Sequence, residues 1–316
     1  MAQHNLFRYL YLKVWAALIR IAALVSGTAS LSRDLASIPR DSSQQKGVKI
    51  PSRDEGRYIT ADIYYLSTTA NIPLPVLVNW HGSGFVVSLL GSNALFCSRI
   101  AQRASIIVVD VDYRKSPETP FPGVLNDVED ALLWVALQRQ HFDPARITVL
   151  GFSAGGNLAP VAATKLRKKL ASVLNISALI AMYPSTDLAT PPGTRTIPKP
   201  INPAPPWLFS LFIDCYAPDK GLRKDPAISP LFADPADFPE TVALITCEGD
   251  GLRPEAQELA EKLKRNNDTA RKIFEYVCEG VGHGFGMNAA RGSVEYVARE
   301  KRYEVAINIV KDTFKT

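Results

Sequence analysis

The run Gly151-Phe152-Ser153-Ala154-Gly155-Gly156 constrains this chain more than any other stretch. It follows the apolar segment Ile147-Thr148-Val149-Leu150 and precedes Asn157-Leu158-Ala159-Pro160-Val161. The pattern reads as strand, tight turn and helix, with a serine at the turn. Glycine lets the backbone fold this sharply without a Cβ clash. The serine hydroxyl then stands at the carboxyl end of a strand and the N-terminus of a helix, where a nucleophile is exposed. A bland glycine-rich turn has the same composition, so the partners of the serine decide between the two.

Four histidines are present. His4 lies in the first residues. His141 closes an amphipathic stretch read as a helix, where a basic residue suits the dipole. His81 follows the strand-like Pro75–Trp80 and opens His81-Gly82-Ser83-Gly84-Phe85. His283 sits in the glycine-rich loop 280–286, after the strand-like 272–278. Elimination leaves His283 as the general base for Ser153. The acid is expected between them in the chain. The strand-like run 241–247 ends in Glu248-Gly249-Asp250-Gly251. Glu248 and Asp250 both reach that strand end, and the residues alone leave the two open. The acid would hold the His283 tautomer and stabilise the imidazolium. A tetrahedral intermediate also needs N–H donors for its oxyanion, each worth ~100–1000-fold in rate. One is expected from Ala154, just after the nucleophile, and others from the small-residue loop 81–84.

These stretches resemble the hormone-sensitive-lipase-like family of α/β-hydrolases, which includes microbial and fungal carboxylesterases. The resemblance runs through His81-Gly82-Ser83-Gly84-Phe85, Asp112 to Pro122, Gly151 to Ala159, Asp225 to Leu231, Asp250-Gly251-Leu252-Arg253 and His283-Gly284-Phe285. It covers the chain from about residue 45 to the C-terminus. It implies an acid at Asp250 and oxyanion donors at Ser83, Gly84 and Ala154. It also implies that the Tyr113–Glu118 stretch holds the loop under the serine turn rather than touching substrate. Ser83 stands where the family usually has glycine, and Phe152 where it usually has aspartate. A serine keeps its backbone N–H, and Phe152 makes the setting beside the nucleophile more apolar. Neither removes a catalytic group, and both bear on substrate preference.

The chain of 316 residues, 47% hydrophobic, is long enough for one large α/β domain with a cap. Strands are expected near 47–52, 59–66, 74–80, 105–111, 146–150, 176–183, 241–247 and 272–278. Helices are expected near 93–103, 123–141, 154–170, 254–266 and 293–314. The alternation implies a mostly parallel eight-stranded sheet with helices on both faces. The expected core is 46–184 and 239–316. Residues 185–238 break the alternation with seven prolines and then Trp207, Phe209, Phe212 and Tyr216 at helical spacing. This reads as a cap insertion whose aromatics either pack it onto the core or line an apolar pocket, and the two roles are compatible.

Residues 1–45 are the ambiguous region. Leu6 to Val25 is densely apolar but interrupted by Arg8, Lys13 and Arg20, so no uncharged run reaches the ~18 residues of a spanning helix. A helix capping the site, a membrane-surface helix over 5–25, and a signal peptide all remain open, with 26–46 read as a partly extended connection. The net charge of +5 is scattered, with no motif for nucleic acid. Cys97, Cys215, Cys247 and Cys278 show no disulfide or metal spacing. No metal or nucleotide cofactor is expected, and a cytoplasmic setting, with or without membrane contact, is the default. A homodimer is neither specified nor contradicted.

The expected activity is hydrolysis of a small carboxylic ester with an apolar acyl or aromatic group, through an acyl-enzyme on Ser153. Acyl transfer or lactone chemistry on the same triad is a rival, and a non-catalytic ligand-binding module is a second.

Overall fold

The computed structural model describes residues 6–38, 42–66, 72–266 and 271–315. Eight strands form one sheet: β1 (Ser42–Pro51), β2 (Tyr58–Leu66), β3 (Leu74–Trp80), β4 (Ile107–Val111), β5 (Phe142–Phe152), β6 (Ile176–Met182), β7 (Thr241–Cys247) and β8 (Lys272–Cys278). Their order is β1-β2-β4-β3-β5-β6-β7-β8. The β1–β2 and β2–β4 pairs are antiparallel, and every pair from β4 to β8 is parallel. β4 and β7 are buried at every position, which is why they read as mostly apolar runs without alternation, Asp110 of β4 being the charged exception.

The helices are α1 (Leu6–Ala36), α2 (Ala94–Ala104), α3 (Gly123–Leu137), α4 (Ala154–Val161), α5 (Arg167–Lys169), α6 (Pro206–Tyr216), α7 (Arg253–Arg265) and α8 (Val294–Phe314). One face of the sheet packs on Leu132 of α3, Leu158 of α4 and Leu259 of α7. The other packs on Phe96 of α2 and Ile307 of α8. Parallel pairing brings the carboxyl ends of β5, β7 and β8 to one edge, and that edge carries the candidate site.

Several expectations are corrected. The helix expected over 123–141 ends at Leu137, so His141 is not a helix terminus. It lies in the turn before β5, with its carbonyl accepting the Leu74 N–H at 3.1 Å. The helix expected over 154–170 is interrupted by a wide π-turn at Ala162–Leu166. Pro160 lacks an N–H and cannot continue the regular ladder, and its own carbonyl is taken by the Thr164 hydroxyl at 2.8 Å. The partly extended connection expected over 26–46 is extended only from Ser42 on. α1 continues to Ala36, and β1 begins at Ser42. Leu35 and Ile38 pack on the second core face, and Asp34 accepts from Arg299 at 2.9 Å. Tertiary contacts thus override a Ser-rich composition. His4 lies outside the described residues.

α1 lies against α6. Leu12 and Ala16 are buried with Val86, Val87, Leu211 and Cys215, and the Trp15 and Trp207 rings sit 5.3 Å apart. The cations of α1 fasten it further. Arg20 grips both oxygens of Glu118, at 2.9 and 2.7 Å, and donates to the Val86 carbonyl at 3.0 Å. Among the described residues, no helix is long and apolar enough to cross a membrane.

Candidate active site

β5 ends at Phe152, and Ser153 turns the chain into α4 with φ 52° and ψ −111°. That positive φ is costly for a serine and persists only where packing over-determines it. Here the packing is backbone on backbone. A Cβ on Gly155 would stand 2.0 Å from the Trp80 carbonyl oxygen, and one on Gly151 would stand 2.0 Å from that of Gly155. The two glycines let β3, β5 and α4 close on each other. The Ser153 N–H donates to the Met182 carbonyl at 2.9 Å, tying the turn to β6.

Ser153 Oγ lies 2.8 Å from His283 Nε2, and His283 Nδ1 lies 2.8 Å from Asp250 Oδ2. Asp250 is buried, and its other oxygen accepts the Leu252 N–H at 3.0 Å. With both carboxylate oxygens engaged, Asp250 orients the imidazole and leaves Nε2 facing the hydroxyl. Glu248, the competing acid, points elsewhere and accepts the Gly280 N–H at 2.8 Å. It fastens the start of the histidine loop to the end of β7.

Ser83, Gly84 and Ala154 border the same cavity as Ser153 and His283. No hydrogen bond found among the described residues is donated by the backbone N–H of these three. Ala154 opens α4, where the first N–H groups have no intrahelical partner, so its N–H is available beside the Ser153 hydroxyl. The Ser83 hydroxyl turns away into the protein. It lies 2.6 Å from the Tyr113 hydroxyl and accepts the Phe85 N–H at 3.0 Å. The Tyr113 hydroxyl in turn lies 2.8 Å from the His81 carbonyl oxygen. The serine that departs from the family pattern therefore braces its loop instead of narrowing the cavity.

His81 is a supporting residue. It is fully buried, stacks on Tyr113 at 4.9 Å, and its Nε2 lies 3.0 Å from Asp112 Oδ1. Burial lowers its pKa against the opposing pull of Asp112. Burial also drives Lys115 down to about 8. Burial alone would raise Asp112, but its hydrogen bond from His81 and the Lys115 charge outweigh that and hold it well below the usual carboxylate range.

The cavity measures about 550 Å³. Leu208, Phe209, Phe212 and Ile213 of α6 form one wall, with Val87, Leu89 and Tyr183 nearby. The aromatics of 185–238 divide their work. Tyr216 stacks on Phe85 at 3.9 Å as packing, while Phe209 reaches within 5.7 Å of the His283 ring. The Phe152 ring packs edge-on against Phe96 at 5.5 Å.

Two residues escaped the sequence reading. Tyr183, just past β6, sets its ring edge-on to His283 at 5.0 Å. Its place at the end of the strand beside the serine strand was the available signal. Arg302 of α8 is buried among aromatics, 4.6 Å from the Phe285 ring and 5.4 Å from the Phe152 ring. An arginine on a helix as rich in charge as α8 gives no such sign in the sequence.

Comparison with known proteins agrees with this architecture. A family model described as alpha/beta hydrolase fold matches residues 77–287. A versiconal hemiacetal acetate esterase of Dothistroma septosporum is 35% identical over 116 residues, covering 36% of this chain and 35% of that protein. A carboxylesterase of Mycobacterium tuberculosis is 33% identical over 198 residues, covering 60% of each. The chain thus matches between a third and three fifths of the length of these relatives. The solved structure of a hyperthermophilic esterase from the archaeon Pyrobaculum calidifontis superimposes with a TM-score of 0.75 at 27% identity, covering 98% of this chain and 99% of that one. The matched family model, the sheet order and the strand–turn–helix around Ser153 all point one way: the chain belongs to the alpha/beta hydrolase fold family.

Proposed function

We propose that this protein is a serine carboxylesterase. Ser153 Oγ attacks the ester carbonyl carbon while His283 Nε2 takes its proton. Asp250 stabilises the imidazolium. The former carbonyl oxygen, now carrying the charge, is held by the N–H groups of Ser83, Gly84 and Ala154. Collapse of the intermediate expels the alcohol, which leaves with the proton from His283. Water, deprotonated by the same histidine, then attacks the acyl-enzyme and releases the acid.

The observation that carries this reading is the unbroken relay of Ser153, His283 and Asp250, with contacts of 2.8 Å and 2.8 Å, opening beside three unused N–H donors. We further assign 46–184 and 239–316 to the core, with 185–238 and the N-terminal helix as the cap over it. The apolar α6 wall favours esters with an apolar acyl or aromatic group. Hydrolysis of a chromogenic ester series from acetyl to dodecanoyl tests the proposal. Cleavage with a chain-length optimum that moves to longer chains in Phe209→Ala supports it, and absence of cleavage across the series contradicts it.

A further inference from the structure

Helix α1 is apolar on two faces. Its inner face carries Leu12 and Ala16, buried against α6. Its outer face carries Phe7, Leu10, Val14, Leu18, Ile21 and Leu24, spaced by three or four residues and each more than half exposed. Exposed apolar side chains scattered singly are ordinary, but a continuous stripe marks an interaction surface. We propose that this outer face docks on a lipid surface bearing anionic headgroups, with α1 lying in the plane of the interface.

The dimensions favour lipid over a second copy of the chain. At 1.5 Å per residue the stripe is about 26 Å long and one helix wide, a footprint of about 300 Å². A stable protein interface needs about 800 Å² from each partner. A convex helix offers that area poorly to another protein, whereas a fluid surface closes round it. The rim has the composition of an interfacial helix. Tyr11 and Trp207 are each about half exposed beside the stripe, and Trp and Tyr favour the headgroup level.

The charge points the same way. No acidic residue occurs before Asp34. Along the flanks, Arg8 and Arg223 share Asp214, and Lys13 and Arg20 share Glu118. The Arg8 and Lys13 side chains stay 48% and 41% exposed along these flanks. Basic flanks and an apolar face together define helices that lie on anionic bilayers. The helix also reaches the cavity through α6, since Trp15 packs on Trp207 and the next turns of α6 present Phe209 and Phe212 to the cavity. A docked molecule would hold its cavity one helix layer from the lipid.

Vesicle flotation tests this without any turnover, so its outcome is separate from that of the esterase proposal. The full chain is mixed with phosphatidylcholine vesicles containing about one third phosphatidylserine. The wild type floats with them, and Leu10→Glu/Val14→Glu weakens binding by about tenfold or more. Both positions are exposed, so the double variant keeps its circular dichroism and thermal midpoint. A wild type that stays at the bottom of the gradient, or a double variant that floats equally well, overturns the proposal. A dimer seen by light scattering that the same substitutions split, without flotation of the wild type, assigns the face to a second copy and overturns it equally.

Discussion

Glu248 and Asp250 stand two residues apart and hold different points of one loop. Asp250 lies 2.8 Å from His283 Nδ1, and Glu248 accepts the Gly280 N–H at 2.8 Å. The division separates orientation of the imidazole from anchoring of its loop. Asp250→Asn should therefore lower kcat by about 10,000-fold by presenting the wrong tautomer. Glu248→Gln keeps an oxygen for Gly280 and should stay within a few fold of wild type. Steady-state kinetics on one soluble ester checks both, and a larger loss at Glu248 would reassign the acid.

Tyr113 braces the loop that supplies two of the proposed oxyanion donors, through the Ser83 hydroxyl and the His81 carbonyl. Tyr113→Phe removes both contacts and leaves the ring stacked on His81. We expect kcat to fall about tenfold with KM little changed, because the donors act on the transition state. A change confined to KM would place Tyr113 in substrate binding instead.

Gly155 is a backbone-contact position. A side chain there meets the Trp80 carbonyl oxygen at 2.0 Å, and backbone cannot swing aside as a flexible side chain does. Gly155→Ala should cost at least about 3 kcal/mol, at the high end of single substitutions, measured as a loss of denaturation midpoint. Retention of the wild-type midpoint would mean that α4 and β3 can separate at no cost.

Glu118 links α1 to the body of the protein. Its hydrogen bond from Arg20, helped by Lys13 and outweighing burial, brings its pKa from 4.5 to about 2. A carboxylate depressed in the folded state contributes stability above its ordinary pKa and loses it as pH falls through the folded value. Docking of α1 should therefore weaken as pH drops from 4.5 toward about 2, and Glu118→Gln should reproduce that weakening at neutral pH. Limited proteolysis within α1, followed by mass spectrometry, reads both effects. Equal protection in wild type and variant would show that the apolar contacts suffice alone.

The arrangement of the candidate site was largely legible in the sequence because it rests on short local motifs. The Gly151–Gly155 spacing is imposed by one tight turn. Asp250 and His283 each follow a recognisable strand, so their convergence follows from the parallel sheet. What escaped depends on packing between distant elements. The Ser-rich end of α1 reads as a linker, yet Leu35, Ile38 and the pairing of Asp34 with Arg299 hold it as helix. The π-turn after Pro160 records where the chain re-pairs its carbonyls, and the same proline is compatible with a simple kink. Tyr183 and Arg302 acquire their places only when β6 and α8 close on the His283 loop.

The central claim is that Ser153 is an activated nucleophile for ester hydrolysis. The most direct measurement is turnover of a chromogenic short-chain ester by wild type beside Ser153→Ala, with folding of both checked by circular dichroism. The account predicts cleavage by the wild type and a loss of about a million-fold in kcat for the variant. Comparable rates in the two proteins, or no cleavage by the wild type, would contradict it.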